Sequence, residues 1–469
     1  MEPSALEKFD YIRRLHAGCD LIIGGIDTGS KTPMELAGYL PAMVEQLPPY
    51  HAQVLSQIQP DLIEAALKEK NRNAIRAHVL AVKQYLVNLT DAIDQEKPII
   101  SHFPSMTPEI FLSMDLAPLS SELFSLFLSA LFTDGVEAEI DEKEAEGFPG
   151  HVCAFQKSCF GAIEKGLLPV PNIFVKTTAP CDSSNMLYQY LQDRYKMPVL
   201  SVDSPYYYNP RAFKYFVDEY KRMIEEVEKI TGHTIDEDRL RSTVTLGNQQ
   251  LEYLYGLQAL RRQIPNPDPG MHRALDTASL FLAGTSEKVV DYMKICYDEA
   301  KARHDQKLSF LPEGKKEIRT IWTYGFTGHA IYLADWLEET FGSSYLECGL
   351  SIYPAEIVGL VNTSSVESMI EGLAWRSFNS PMHRTVMTYT DLHVNDIVTT
   401  AKAYRADAAI FGGNHSCKYA WTLPKLLSDA LLEELGIPSF SWETDLIDKR
   451  FAPPSAVKIQ LTEFFQTVM

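Results

Sequence analysis

The sequence predicts an α/β protein: two strand–helix units that follow a helical N-terminal region. Three observations carry this. Short apolar runs rich in branched residues, Asn172-Ile-Phe-Val175 and Pro198-Val-Leu-Ser-Val202, alternate with segments of helical period. The alternation returns after Lys315, with strand candidates at 317–323, 408–411 and 438–441. Two of these runs end in small-residue loops that carry a cysteine, and such loops at the carboxyl ends of strands are where α/β proteins build sites.

Along the chain, residues 1–97 read as a helical extension. Segments 55–67 and 74–93 place apolar residues at helical spacing between polar ones. Lys97-Pro-Ile-Ile-Ser-His marks entry into the first α/β unit, assigned to 98–310. Segments 211–231 and 236–263 read as long amphipathic helices, the second capped by Asp236 or Asp238. The run Pro265-Asn-Pro-Asp-Pro-Gly270 breaks the pattern. The second unit, 311–469, adds a helix containing Trp336, another over 423–435, and a closing helix near 456–467.

Composition narrows the function. A chain of 469 residues supports two or three domains with cores. The formal charge of −19 argues against a nucleic-acid or anionic-membrane surface. The most apolar stretch, 111–132, is interrupted by Ser113, Asp115, Ser120, Ser121, Glu122 and Ser125, so no membrane span is expected. The start, Met1-Glu-Pro-Ser, lacks the basic and apolar regions of a signal peptide. Seven dispersed cysteines without a CxxC pair suit reduced thiols in a cytoplasmic protein better than disulfides or structural zinc.

Three cysteines have distinctive frames: His151-Val-Cys153-Ala-Phe-Gln156, Thr178-Ala-Pro-Cys181-Asp182, and Gly413-Asn-His415-Ser-Cys417-Lys. A packed core thiol is the commoner role for any one of them. Brought together from separate loops, three thiolates can hold an iron–sulfur cluster and leave one iron open.

With these frames, Thr107-Pro-Glu109-Ile-Phe-Leu-Ser and Pro438-Ser-Phe-Ser-Trp-Glu443-Thr-Asp445-Leu-Ile-Asp448 complete an order of segments. From about residue 98 onward the chain resembles the 2-hydroxyacyl-CoA dehydratase and benzoyl-CoA reductase superfamily. Asp115 departs from the pattern, standing where a Gly is usual. The resemblance implies two Rossmann-like parallel-sheet domains with a [4Fe–4S] cluster between them, ligated by Cys153, Cys181 and Cys417. It also implies an oxygen-sensitive enzyme subunit with a homologous partner subunit, as a heterodimer or homodimer. An ATP-dependent activator would deliver an electron to a CoA thioester, forming a ketyl radical that eliminates water.

The same likeness suggests Ser105 and Glu122 as catalytic, against the plainer roles of helix cap and exposed helix residue. His151, Gln156 and His415 lie close enough in sequence to the cysteines to hydrogen-bond around the cluster; surface or loop positions are the alternative. Tyr206, Tyr207 and Tyr208 read as aromatic packing, or as a wall for an acyl or adenine group. Cys159 and Cys296 read as core thiols, while Cys19 and Cys348 have no supporting frame.

Two glycine-bearing motifs are set aside. Ile23-Gly-Gly-Ile-Asp27-Thr-Gly29-Ser30 resembles an activator's phosphate loop, but Pro33 opens a helix where a strand hairpin is needed. Tyr324-Gly-Phe-Thr-Gly328 reads as an ordinary turn, with a phosphate-bearing ligand as the lesser reading. Alternatives to the dehydratase remain: a benzoyl-CoA reductase-type or double-cubane-cluster reductase subunit with a bridged second cluster, a non-catalytic electron-relay subunit, or a structural or zinc role.

Overall fold

The computed structural model describes residues 8–46, 49–281, 284–384 and 390–468. The N-terminal stretch Met1-Glu-Pro-Ser lies outside the described residues. Two four-stranded parallel sheets organise the chain. The first holds β1 (Ile99–His102), β2 (Ala117–Leu119), β3 (Ile173–Thr177) and β4 (Val199–Val202), in the order β2-β1-β3-β4. The second holds β5 (Ile318–Trp322), β6 (Ser343–Cys348), β7 (Ala408–Asn414) and β8 (Ser439–Thr444), in the order β6-β5-β7-β8. The two orders are the same, offset by one unit. In each sheet the chain moves outward from its first strand, then returns to build the other side from the third. The crevice between first and third strands is therefore a topological switch point.

Of the central strands, β1, β3 and β7 are buried along their whole length and β5 at all but its first residue, as parallel sheets covered on both faces require. Two strands were not visible in sequence. β2 lies inside the apolar run 111–132, is three residues long, and pairs on one side only, so Pro118 is tolerated there. β6, with the sequence Ser-Ser-Tyr-Leu-Glu-Cys, is an edge strand without a β-branched residue.

Upstream of β1 the described chain is helical. Helices Asp10–Asp27 and Glu69–Asp94 bury apolar faces against the rest of the molecule. The segment 55–67, read as one helix, is two: Pro49–Leu55 and Pro60–Leu67. Pro60 is suited to the first turn, where its missing N–H costs nothing. The Gln59 amide just before it donates to Ser129 O (2.9 Å) and Ala130 O (2.8 Å), fixing the break. The motif Ile23–Asp27 lies inside a helix, and a second helix begins at Pro33, so no phosphate loop forms there.

Between the sheets come helices Pro210–Thr231, Glu237–Arg261, Gly270–Phe281 and Glu287–Asp305. Of the two candidate caps, Asp236 takes the position: its Oδ1 accepts from Arg239 N–H at 2.9 Å. Helix Val366–Phe378, in the second half of the chain, packs into the core of the first sheet, where Phe216 meets Phe378 at 5.3 Å between ring centres. Among the described residues, no helix is long and apolar enough to cross a membrane.

Burial also sets the acid response. His78, His102, His329, His383 and His393 are each pushed down from 6.5 to about 4 by desolvation. Between those values the unfolded chain binds more protons than the native one, so stability falls as pH drops. Glu338, raised to about 7, and Asp445, raised to about 6, act in the opposite sense, as do Glu122, Asp276 and Glu317, whose carboxyls burial also raises; Asp20, Asp115, Asp268 and Asp448, held low by their partners, act with the histidines at the acid end. Thermal unfolding followed by circular dichroism should show a melting temperature that falls steadily from pH 6.5 to pH 4. A flat or rising profile would refute the histidine argument.

Candidate functional site

Cys153, Cys181 and Cys417 line one cavity of about 310 Å³. The topology accounts for two of them. Cys181 follows β3 and Cys417 follows β7, the equivalent third strands of the two sheets. Phe103 and Pro104, after β1, and Tyr324 and Gly325, after β5, line the same cavity. Both switch-point crevices thus open onto a shared space. Cys153 arrives on a loop that caps helix Ala154–Glu164.

Each thiol is locally anchored. Cys181 caps helix Asp182–Tyr195, and its Sγ accepts from Ser184 N–H at 3.3 Å. Cys153 N–H donates to Ser183 Oγ at 3.4 Å, while Ala154 N–H donates to Ser416 Oγ at 3.2 Å, crossing from one sheet's loops to the other's. Cys417 N–H donates to Asn414 O at 2.9 Å, closing the turn after β7. The Tyr324 hydroxyl bonds the Cys417 sulfur.

Two influences compete on these sulfurs. Helix N-termini favour negative charge at Cys153 and Cys181. Burial disfavours it and wins: Cys181 is pushed up to about 12, and Cys153 well above 9. The Cys153 thiol is raised further by Cys181, Asp445, Cys417 and Glu122, which marks how closely these groups gather.

Glu122 is the cavity's buried acid. It starts helix Ser121–Leu131, accepts from Tyr188 Oη at 2.8 Å and bonds the Gln156 side chain. Desolvation raises its carboxyl and outweighs these two bonds, which lower it. Gln156 lines the cavity too, donating from Nε2 to Ser184 Oγ at 2.9 Å, and so couples Glu122 to the turn that holds Cys181.

The other expected residues sit elsewhere. Ser105 is buried beside the cavity but is not part of its wall; its Oγ pairs with Thr177 Oγ1 at 2.9 Å, at the end of the strand leading to Cys181. His151 is exposed. His415 turns outward to Glu443 Oε1 (2.6 Å) and packs on Phe451 at 4.0 Å between ring centres. Tyr206 and Tyr207 are exposed, while Tyr208 stacks on Phe378 and donates to Asn379 Oδ1 at 2.7 Å. Cys159 and Cys296 are buried in helices, as expected of core thiols. Cys19 and Cys348, which had no sequence frame, both line the cavity.

Tyr324 and Asp445 join the site without having been singled out for it. Tyr324 belonged to a turn read for its glycines. The signal available was its place directly after a strand equivalent to β1. Asp445 belonged to the acidic loop; its carboxylate accepts from the N–H groups of Ile447 (2.9 Å) and Asp448 (3.0 Å). Away from the cavity, His16, Asp20 and His51 bring three potential metal-ligand atoms within 4.8 Å of one another. Lys83 already supplies a cation there, 2.5 Å from Asp20. Thiols around a cubane bond different irons and need no such close approach.

The family described as 2-hydroxyglutaryl-CoA dehydratase, D-component, matches residues 104–468. The chain is 22% identical over 324 residues to the (R)-phenyllactyl-CoA dehydratase alpha subunit of Clostridium sporogenes, covering 66% of this chain and 75% of that protein. It is 23% identical over 359 residues to a benzoyl-CoA reductase subunit of Thauera aromatica, covering 70% of this chain and 79% of that protein.

The Glu122 environment can be measured. The Tyr188 hydroxyl stabilises the ionised carboxylate, and a hydrogen bond to a charged group contributes about 1.5–3 kcal/mol. Tyr188→Phe should therefore raise the Glu122 carboxyl further. Infrared titration of the protonated carboxyl band checks this, and an unchanged midpoint would refute the coupling.

Proposed function

The chain belongs to the 2-hydroxyglutaryl-CoA dehydratase D-component family, and from that premise we propose that it is a subunit of an iron–sulfur 2-hydroxyacyl-CoA dehydratase. The observation that carries the reading is the meeting of Cys153, Cys181 and Cys417, with the buried acid Glu122, at one cavity between the two sheets' loops. The three thiols come from three separate loops, lie at helix N-termini or a strand end, and suit a [4Fe–4S] cluster with one iron left to a non-protein ligand. When bound, such a cluster would supply a low-potential electron and a Lewis-acidic iron.

The chain's own residues do the rest. Apolar walls exclude water and keep the cavity's dielectric low. Dehydration removes a hydroxyl from C2 and a proton from C3 of the thioester. Glu122, held in place by Tyr188 and Gln156, can take up the C3 proton and pass it to the departing hydroxyl as water, because burial brings its carboxyl nearer the working pH. Ser105 acts through Thr177, steadying the turn ahead of Cys181; contact with the thioester oxygen would require exchange of that bond. A homologous partner subunit and an ATP-dependent electron donor complete the cytoplasmic, oxygen-sensitive enzyme.

Similarity to the benzoyl-CoA reductase subunit favours a second reading, a reductase subunit using the same cysteines. Redox balance separates the two. Dehydration returns its electron and consumes none overall, whereas reduction consumes electrons with every product formed. An anaerobic assay with partner subunit, activator and a panel of CoA thioesters should yield an enoyl thioester at catalytic electron cost. Stoichiometric electron consumption would overturn the dehydratase reading.

Two sets of variants test the residue roles. Cys153→Ser, Cys181→Ser and Cys417→Ser should each lower iron and acid-labile sulfide content, while Cys19→Ser, in the same cavity wall, should leave both unchanged. Full iron content in any of the three, or iron loss in Cys19→Ser, would break the ligand assignment. Glu122→Gln should slow turnover by about 10²–10⁴-fold with iron content intact. Normal turnover in that variant would mark this subunit as an electron relay.

A further inference from the structure

The cavity is polar at one end only. Its charged lining residues stand beside the cysteines: Asp182 and Lys418 are their chain neighbours, and the Glu122 charge acts on Cys153 and Cys181. The remaining wall is built from helix faces that, among the described residues, bring no charge. Leu15 and Val79 come from the N-terminal helices, Leu126 and Phe127 from helix Ser121–Leu131, and Ala274 and Leu275 from helix Gly270–Phe281. The exception in polarity is His78. Its Nδ1 pairs with Ser279 Oγ at 2.8 Å, and its ring stacks on Phe127. Desolvation keeps it neutral at working pH, pushed down to about 4.

On the reading of the site as a 2-hydroxyacyl thioester site, we infer that the acyl group it takes is apolar and uncharged at its far end, and that the N-terminal helices form the wall that receives it. A thioester reacting beside the cysteines must send its acyl tail into the uncharged part of the cavity. There a terminal carboxylate would lose its hydration and, with Lys418 at the cysteine end, find no cation among the described residues of that part of the wall, a penalty that an alkyl or aryl tail escapes. Apolar tails instead gain by leaving water. The volume, about 310 Å³, lies at the small end of ligand pockets, roughly 300–1,000 Å³, so the tail is short or compact. The wall residues Leu15 and Val79 precede the family-matched segment, which begins at residue 104. The helical extension therefore shapes the acyl end without touching the reacting end.

The test uses the full chain, purified anaerobically, and calorimetric binding of hexanoyl-CoA and glutaryl-CoA. Neither carries a 2-hydroxyl, so binding is read without turnover. Hexanoyl-CoA should bind about tenfold or more tightly than glutaryl-CoA, a difference of about 1.4 kcal/mol or more. Ala278→Phe, which fills the wall, should weaken hexanoyl-CoA by about tenfold while iron content stays unchanged. Val79→Ala, which enlarges the cavity, should shift preference from hexanoyl-CoA toward octanoyl-CoA; it also keeps the test open if the bulkier variant unfolds. Equal or tighter binding of glutaryl-CoA, no binding of either thioester, or unchanged binding in folded variants overturns the inference. If selectivity appears but no 2-hydroxyacyl-CoA is dehydrated, the acyl pocket stands and the dehydratase reading falls.

Discussion

The site rests on one topological constraint: two parallel sheets built in the same strand order, with both switch-point crevices open to the same space. A parallel sheet sends all its strand-end loops to one edge, and a reversal in strand order splits those loops apart. One such crevice presents one thiol. Two crevices present Cys181 and Cys417 across a shared gap, and Cys153 completes the set from the loop before a helix. The gap is held by bonds that cross it. Ala154 N–H reaches Ser416 Oγ at 3.2 Å, and Gln59 joins the N-terminal helices to Ser129, Ala130 and His329 through one amide.

Buried charge fixes how the connecting helices meet the second sheet. Arg261 bonds Asp268 at 2.7 Å and Asp276 at 2.6 Å, all three fully enclosed, and Arg273 pairs with Glu347 on β6. Such pairs add little net stability over apolar packing, yet losing one partner strands a charge at a cost of about 3–5 kcal/mol. Their effect is to penalise every other arrangement of these helices. A second junction does the same for the first sheet. Glu109, near the start of its short helix, is bonded by Arg376 from helix Val366–Phe378 and by Thr285 at 2.8 Å. The carboxylate in the Pro-Glu motif is thus a clamp between the halves of the chain.

These two levels explain what was legible in the sequence. The long helices and central strands declare themselves through period and burial, and Asp236 declares a cap. β2 and β6 do not, because β2 is only three residues long and β6 contains no β-branched residue. The cysteine frames could be read because strand, small-residue turn and thiol are contiguous. Side-chain direction could not. His151 and His415 stand two residues from Cys153 and Cys417, yet one is exposed and the other turns to Glu443. Cys159 and Gln156, three residues apart on one helix, divide the other way, one into the core and one toward the cavity. Tyr324 meets Cys417 only because β5 and β7 are neighbours, a pairing between distant segments that no local pattern encodes.

The electrostatics of the thiols bear on what chemistry the cavity supports. A nucleophilic cysteine needs a lowered pKa, supplied by a nearby cation or an exposed helix N-terminus. Here burial and neighbouring acids overcome the helix N-termini, so Cys181, at about 12, is fully protonated near neutral pH, and Cys153 is higher than its ordinary value as well. Thiol-based covalent catalysis is therefore disfavoured at both positions. On the proposed reading, an iron–sulfur core bound here would replace each thiol proton and relieve the mutual repulsion that raises Cys153. Loading such a core would release protons and so would be favoured by higher pH.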